Sequence, residues 1–507
     1  MRRPVQTIQQ RAFDAEHFRS CASLVVERLA AYLGDHSVRG LALQEPAALR
    51  ETLRELMTEA GDSFAPFDRE RLGKIVDLFI ASGIQVHSPG SMGRQFTGIL
   101  PLPAILDMVG SIVNQPASFY EAGQLPIMAE RLMATELNRF IGYDPERFAM
   151  VTTSGGSLAT LTAMLAARNH AFPDFWQRGC RSVRDDEIPA VMVSEDVHYS
   201  VSRAVGILGI GAEQVIKLPV DAGRRIRADG IRPALQEGRR RGLKVFCLVA
   251  TAGSTSVGAF DPIDQIADVT EEEGIWLHVD GAHGASLLVS DLHRRKLAGI
   301  ARADSLVWDA HKLMFISAPC TLLFYRDRGK SLGAFRQQAS YVFEKEPDKY
   351  SLFDSAEMNF ECTKRPMIVG LWAAWSLYGR SLFAEKLDYL CALTSAFYEY
   401  LQTQPDFQVL HRPECNICCF RYVPYAMSDE DLDEFQIALR NAIREAGTFF
   451  VSKVELSGVA TLRCVFSNHL TTMEQCVALL EMIRGIGHGW LKAGAPPARA
   501  EGLESRL

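Results

Sequence analysis

The apolar and polar positions of this chain fall into three successive patterns. Over residues 1–86 the side chains of Phe13, Phe18, Leu24, Val25 and Leu29, then Leu53, Leu56 and Met57, recur at helical spacing without strand-like alternation. They predict a helical N-terminal arm with little core of its own, which needs another surface to pack on, such as a second subunit. From 87 to 370 short apolar runs alternate with amphipathic stretches. The runs at 148–152, 190–194, 215–218, 245–250, 275–279, 305–308 and 321–325 read as strands, with helices such as 158–170 and 262–273 between them. Strands this short and this uniformly apolar suit a mostly parallel sheet covered on both faces. From 371 to 492, helices at 371–378, 382–402, 429–445 and 472–486 alternate with strands at 408–410, 418–423 and 460–466, which predicts a smaller α/β domain. The tail 493–507, rich in Ala, Pro, Gly and charge, is expected to be disordered.

Composition narrows the class. The 507 residues are 48% hydrophobic and 23% charged, ordinary for a soluble globular enzyme. A net charge of -7 argues against a nucleic-acid partner. No run of about 18 uncharged apolar residues occurs, because Pro101, Pro103 and Asp107 interrupt the nearest candidate at 99–113. The start, Met1-Arg-Arg-Pro-Val-Gln-Thr, has no apolar segment behind its basic pair, so it does not read as a signal peptide and a cytoplasmic location is expected. The 11 cysteines lack framework spacing and read as reduced thiols. Cys415, Cys418 and Cys419 run into an apolar strand with no second ligand pair nearby, so buried structural thiols are expected there and no metal site.

Candidate chemistry collects just past strand ends, where parallel sheets bind ligands. Thr153-Ser-Gly155-Gly156-Ser157 precedes a helix and reads either as an anion cradle or as a plain turn with Ser157 as N-cap. His198 suits a ring stacked on a cofactor, or a structural histidine. Thr251-Ala-Gly-Ser254-Thr255 is a polar cluster or only a turn. Asp280 ends an apolar run, so it needs a cationic partner, which a pyridinium N–H or a nearby arginine would supply. Lys312, after His311, is a competent amine for carbonyl chemistry if it faces a buried site, and otherwise a surface lysine. An acid and an amine in this order are what a pyridine-type cofactor requires: one keeps its ring nitrogen protonated, the other takes its aldehyde.

The motifs Thr251-Ala-Gly-Ser-Thr-Ser-Val-Gly-Ala-Phe-Asp-Pro-Ile, His278-Val-Asp-Gly-Ala-His-Gly and Trp308-Asp-Ala-His-Lys carry a resemblance that extends from about 88 to 486. In them the chain resembles the group II pyridoxal-phosphate decarboxylases, most closely the glutamate and cysteine sulfinate decarboxylase branch, with diaminobutyrate decarboxylase a neighbour. The resemblance implies an α/β, aspartate aminotransferase-like (type I) fold. It also implies pyridoxal 5'-phosphate as cofactor and a homodimer with active sites at the subunit interface. The expected activity is α-decarboxylation of an amino acid to a primary amine and carbon dioxide. By the same resemblance Lys312 would hold the cofactor covalently and Asp280 would pair with its ring nitrogen. Ala282 and His198 would cover the two ring faces. Gly156, Ser157 and His311 would contact the phosphate, and Thr251 the ring substituents. Tyr350 would assist protonation from a loop, often in the partner's site, and Arg463 would grip a substrate carboxylate.

There are departures from the family pattern. Arg94 stands where glutamate decarboxylases carry Gln, Ser88-Pro89 replaces His-Pro, and Gly281 and His283 replace Ala and an aromatic. An extra arginine at the pocket would repel cationic diaminobutyrate, which favours acidic substrates. The competing expectations are an oxidative, aldehyde-forming decarboxylase, an aminotransferase-like enzyme, and a silent relative that binds a partner.

Overall fold

The computed structural model describes residues 12–58, 67–332, 335, 349–355, 358–424 and 428–493. The tail past Ala493 and the loop segment 339–348 lie outside the described residues. The N-terminal arm holds helices Ala15–Gly34, Pro46–Thr58 and Arg69–Ile80. Asp14 and Asp68 cap the first and third by accepting backbone N–H groups of His17 and Glu70, each at 2.8 Å. Helix Ala15–Gly34 buries none of its residues, and Phe18, Val26 and Leu29 stand exposed. After the first helix and after the third, β1 (Leu41–Ala42) and β2 (Gly83–Ile84) pair antiparallel. At two residues each they are too short to alternate, so the apolar pattern does not announce them.

The central sheet has seven strands: β3 (Ala149–Thr153), β4 (Ile188–Ser194), β5 (Val215–Leu218), β6 (Leu243–Thr251), β7 (Trp276–Asp280), β8 (Ser305–Asp309) and β9 (Thr321–Tyr325). Their spatial order is β3-β9-β8-β7-β6-β4-β5. Only β9 runs antiparallel to its neighbours, β3 and β8. The reason is local: a four-residue helix, Ala310–Leu313, is all the helix between β8 and β9, too little for the crossover that a parallel return needs. Every residue of β3, β7, β8 and β9 is buried. One face packs on helix Gly156–Ala171 through Ala159, Ala163 and Met164. The other packs on helix Gln124–Ile141 through Met133, Leu137 and Ile141, and on Leu371 and Phe383.

A second, antiparallel sheet contains β10 (Phe407–Val409), β11 (Ile417–Tyr422), β12 (Ser452–Leu456) and β13 (Val459–Val465), in the order β10-β11-β13-β12. Its own core joins Phe397, Phe420, Phe435, Leu462, Phe466 and Leu479. Helix Ile368–Gln402 links the two cores and breaks at Gly379 (φ 70°, ψ 179°), a conformation that only glycine adopts without strain. Cys415, Cys418 and Cys419 are all buried. Strand β12 is absent from the sequence-based expectation, although its turn, Ser457 (φ 52°) and Gly458 (φ 81°), is a two-residue hairpin loop of the kind a Ser-Gly pair signals. No helix among the described residues is long and apolar enough to cross a membrane.

Candidate active site

The parallel strands β3, β4, β6, β7 and β8 bring their carboxyl ends to one edge of the sheet. Gly156, Ser157, His198, Thr251, Asp280, Ala282, His311 and Lys312 line a single cavity there. At about 190 Å³ it has many times the room one water needs.

The cavity's first wall is the start of helix Gly156–Ala171. Its N-cap is Gly155 (φ 115°), without a side-chain cap, so Ser157 is not the cap residue. The first N–H groups of a helix lack intrahelical acceptors and carry the positive end of its dipole, so this uncapped end suits an anion. Sequence reasoning did not single out Glu361, whose Oε2 accepts the N–H of neighbouring Ser154 at 3.1 Å.

Asp280 closes β7 and is 8% exposed. Its Oδ1 accepts the N–H of Ala282 at 3.2 Å. No arginine or lysine lies within ion-pair distance of it among the described residues, so the arginine alternative falls away. Next door in register is Thr251, whose Oγ1 is buried without a partner. The N–H of Thr251 donates to Asp261 Oδ2 at 2.6 Å, and Ile226 donates to the other oxygen at 2.6 Å. Burial pushes the Asp261 carboxyl up to about 7. Gly281 is explained by space: a Cβ there would lie 2.8 Å from Leu306 Cδ1 and 3.0 Å from the Val307 carbonyl.

Lys312 reaches the cavity from the short helix after β8. Its Nζ is 2.8 Å from Asp309 Oδ2, and His311 Nε2 is 3.6 Å from the same oxygen. Thr321 Oγ1 donates to Asp309 Oδ1 at 2.5 Å. Burial pushes the Asp309 carboxyl up, but Lys312, His311 and these hydrogen bonds together hold it below the usual value. A Cβ on Gly156 would come within 3.1 Å of both its oxygens, so Asp309 links the amine to the helix start. Asp309 was legible only as part of the quoted motif; nothing in the spacing marked it as a partner of Lys312.

His198 is both structural and cavity-facing. It caps helix Tyr199–Ile207 by accepting the Ser200 N–H at Nδ1 (3.3 Å), which leaves the proton of the neutral ring on Nε2. Burial lowers its pKa while Asp280 raises it, so the ring lies within electrostatic reach of that acid. His283 also lines the cavity, its Nε2 2.7 Å from Asn416 Oδ1.

Three expected residues do not line this cavity. Arg463, on β13, is 5% exposed; its Nε donates to the Ser256 carbonyl at 3.0 Å, while Nη2 is buried with no partner. Arg94 is exposed, with φ 58°, and its N–H donates to Ser452 Oγ at 2.7 Å. Tyr350 is 48% exposed and stacks on Tyr120 at 5.8 Å between centroids.

An uncapped helix start, an unpartnered hydroxyl, a buried acid and a lysine amine around one cavity are the groups that pyridoxal 5'-phosphate needs for its phosphate, ring and aldehyde. The residues fit that cofactor. Comparison with known proteins agrees. The pyridoxal-dependent decarboxylase conserved domain matches residues 57–423. An acidic amino acid decarboxylase of Mus musculus, GADL1, is 27% identical over 416 residues, 81% of this chain and 74% of that protein. A cysteine sulfinic acid decarboxylase of Rattus norvegicus is 29% identical over 382 residues, 75% of this chain and 76% of that protein. The crystal structure of mouse CSAD superposes with a TM-score of 0.84 at 24% identity, covering 92% of this chain and 97% of that one.

Proposed function

This chain belongs to the pyridoxal-dependent decarboxylase family and is a pyridoxal 5'-phosphate-dependent amino-acid carboxy-lyase; we propose that its substrate is an acidic amino acid of the glutamate, aspartate or cysteine sulfinate type. The observation that carries this is Arg463, which stands behind the cavity wall but within electrostatic reach of His283 in it. A buried guanidinium with one N–H group committed to Ser256 and Nη2 unpartnered calls for an anion. Exposed Arg94 adds positive charge within electrostatic reach of it. The names of the mouse and rat relatives, both decarboxylases of acids, support the same class.

In this reading Lys312 holds the cofactor, Gly156, Ser157 and His311 hold its phosphate, and Thr251 meets its ring substituents. Ala282 and His198 cover the ring faces. When bound, the cofactor supplies an electron sink for the pair left on Cα as carbon dioxide departs. Asp280 would keep the ring nitrogen protonated, and Lys312 would supply the amine that anchors the cofactor's aldehyde. Arg463 orients the substrate through a carboxylate. Tyr350 Oη returns a proton to Cα, acting from a second subunit. A homodimer accounts for the apolar side chains left exposed on helices Pro101–Val113 (Ile105, Ile112, Val113) and Gln124–Ile141 (Leu125, Leu132), and for Phe79 of the arm. The division into an arm (1–86), a cofactor domain (87–370), a small domain (371–492) and a tail belongs to the same reading.

The test is carbon dioxide release from glutamate, aspartate, cysteine sulfinate, diaminobutyrate, ornithine and aromatic amino acids, with the Arg94→Gln variant alongside. Release confined to diaminobutyrate or an aromatic amino acid overturns the acidic reading. Stoichiometric oxygen consumption with aldehyde product replaces simple decarboxylation by the oxidative course.

A further inference from the structure

His283 stands three residues after Asp280, and its surroundings in this fold define what it does. It follows Ala282 in the cavity wall, is 2% exposed, and lies one residue before Gly284, where a Cβ would be 2.6 Å from the Ala252 carbonyl. The imidazole is thus enclosed, beside a closely packed stretch of backbone. Its Nε2 sits 2.7 Å from Asn416 Oδ1.

The orientation of Asn416 decides the direction of that hydrogen bond. Asn416 Nδ2 donates to the Phe466 carbonyl at 2.8 Å, and the Asn416 carbonyl accepts the Phe466 N–H at 2.9 Å. Phe466 thus holds the side-chain amide at Nδ2 and the Asn416 backbone at its carbonyl, so Oδ1 is what faces His283. His283 donates from Nε2–H, and Nδ1 is a bare acceptor without a partner. Burial, then the charges of Lys312 and Arg463, push the imidazole down to about 3, so the ring is neutral and the bond persists at neutral pH.

Phe466 directly follows β13, the strand that carries Arg463. The same strand end also holds the Arg94 segment: Val465 N–H donates to the Met92 carbonyl at 2.7 Å, and Ser467 Oγ to the Phe96 carbonyl at 2.6 Å. His283 therefore ties the turn after Asp280 to a unit that contains both arginines.

We propose that His283 is a positioning residue that sets substrate specificity: through Asn416 it fixes how far the Arg463 guanidinium stands from Lys312 and Asp280. The inference rests on the reading of Arg463 as the group that takes a substrate carboxylate. With that spacing fixed, one acid chain length is served best. With the link cut, β13 gains slack and neighbouring lengths are served more equally.

The test compares wild type with His283→Leu, which removes the donor, and His283→Gln, whose amide N–H can restore it. For the preferred acid His283→Leu should raise KM roughly tenfold and leave kcat within about threefold. It should also compress the aspartate-to-glutamate ratio of kcat/KM, and His283→Gln should recover most of both effects. Asn416→Ser, which takes the acceptor from the other side, should match His283→Leu, and the double variant should be no worse than either. It also carries the test if His283→Leu does not fold. An unchanged preference ratio in these variants overturns the proposal. If the wild type decarboxylates no acid, the substrate reading fails separately. Amide hydrogen exchange over residues 460–468 then decides: faster exchange in His283→Leu supports the link, and unaltered protection overturns it.

Discussion

Lys312 and Asp309 lie one helical turn apart with Nζ 2.8 Å from Oδ2; the carboxylate is 3% exposed and the lysine side chain 20%. The pair is an acid locked behind an amine that opens onto the cavity. Lys312→Ala should abolish turnover while cofactor still binds without a covalent link, read as loss of the lysine-bound absorbance. It also strands Asp309, so the cofactor-free variant should lose about 2–3 kcal/mol in urea melts, less than for a wholly buried pair. Adding Asp309→Asn should recover stability but not activity; no recovery refutes the pairing.

Asp280→Asn takes away the acid that the proposed function pairs with the cofactor's ring nitrogen and keeps the shape. Turnover should fall roughly 10²–10³-fold, as when one preorganised electrostatic partner is lost. Cofactor stoichiometry should remain near wild type. Wild-type-like kcat would remove Asp280 from the site.

Acid should unfold this protein through its buried and half-buried histidines. Burial pushes His87, His278 and His411 down to about 4, and His283 to about 3. An unfolded histidine titrates near 6.5. The stabilisation from each neutral ring is therefore complete above about 6.5 and is lost as pH falls toward those lower values, since only the unfolded chain takes up the proton. Melting temperature should decline steadily from pH 6.5 to 4. His278→Asn should flatten that decline; an equal slope in the variant contradicts the assignment.

Lys364 and Glu130 form an ion pair at 3.0 Å with side chains 0% and 6% exposed, and Thr152 at the end of β3 donates to the same carboxylate. Lys364→Met should cost about 3–5 kcal/mol, because a buried carboxylate is left alone. Lys364→Met with Glu130→Gln should regain much of it. Chemical denaturation of the single and double variants gives the comparison.

Tyr350→Phe should divert product from amine toward aldehyde, measured by product analysis with oxygen uptake. Mixed dimers of Tyr350→Phe and Lys312→Ala subunits should regain amine formation at the site that combines the intact lysine with the partner's intact tyrosine. No regain would place Tyr350 outside the neighbouring site.

Much of the site was readable because strand ends punctuate the chain. An apolar run that stops at a polar residue marks the ligand edge, and Asp280, Thr251 and the glycines at 155 and 156 all follow that rule. The antiparallel course of β9 follows from loop length, which an apolar pattern does not encode. The His283–Asn416 contact joins positions 133 apart, and a lone asparagine before a strand has no period to betray it. Arg463 was visible by its type, yet its unpartnered Nη2 depends on the carbonyl of Ser256, a group no sequence motif displays.

Arg463 stands on the four-stranded sheet, so the proposed reading separates selection from reaction. The groups that would handle the cofactor stand on the seven-stranded sheet or on the turns and helix starts at its carboxyl edge, so on this reading drift in β11 or β13 would retune the ligand repertoire while the reaction centre stays intact. New preferences within such a scaffold should arise through edits at this seam, and ancestors of differing diet would share an unaltered chemical heart.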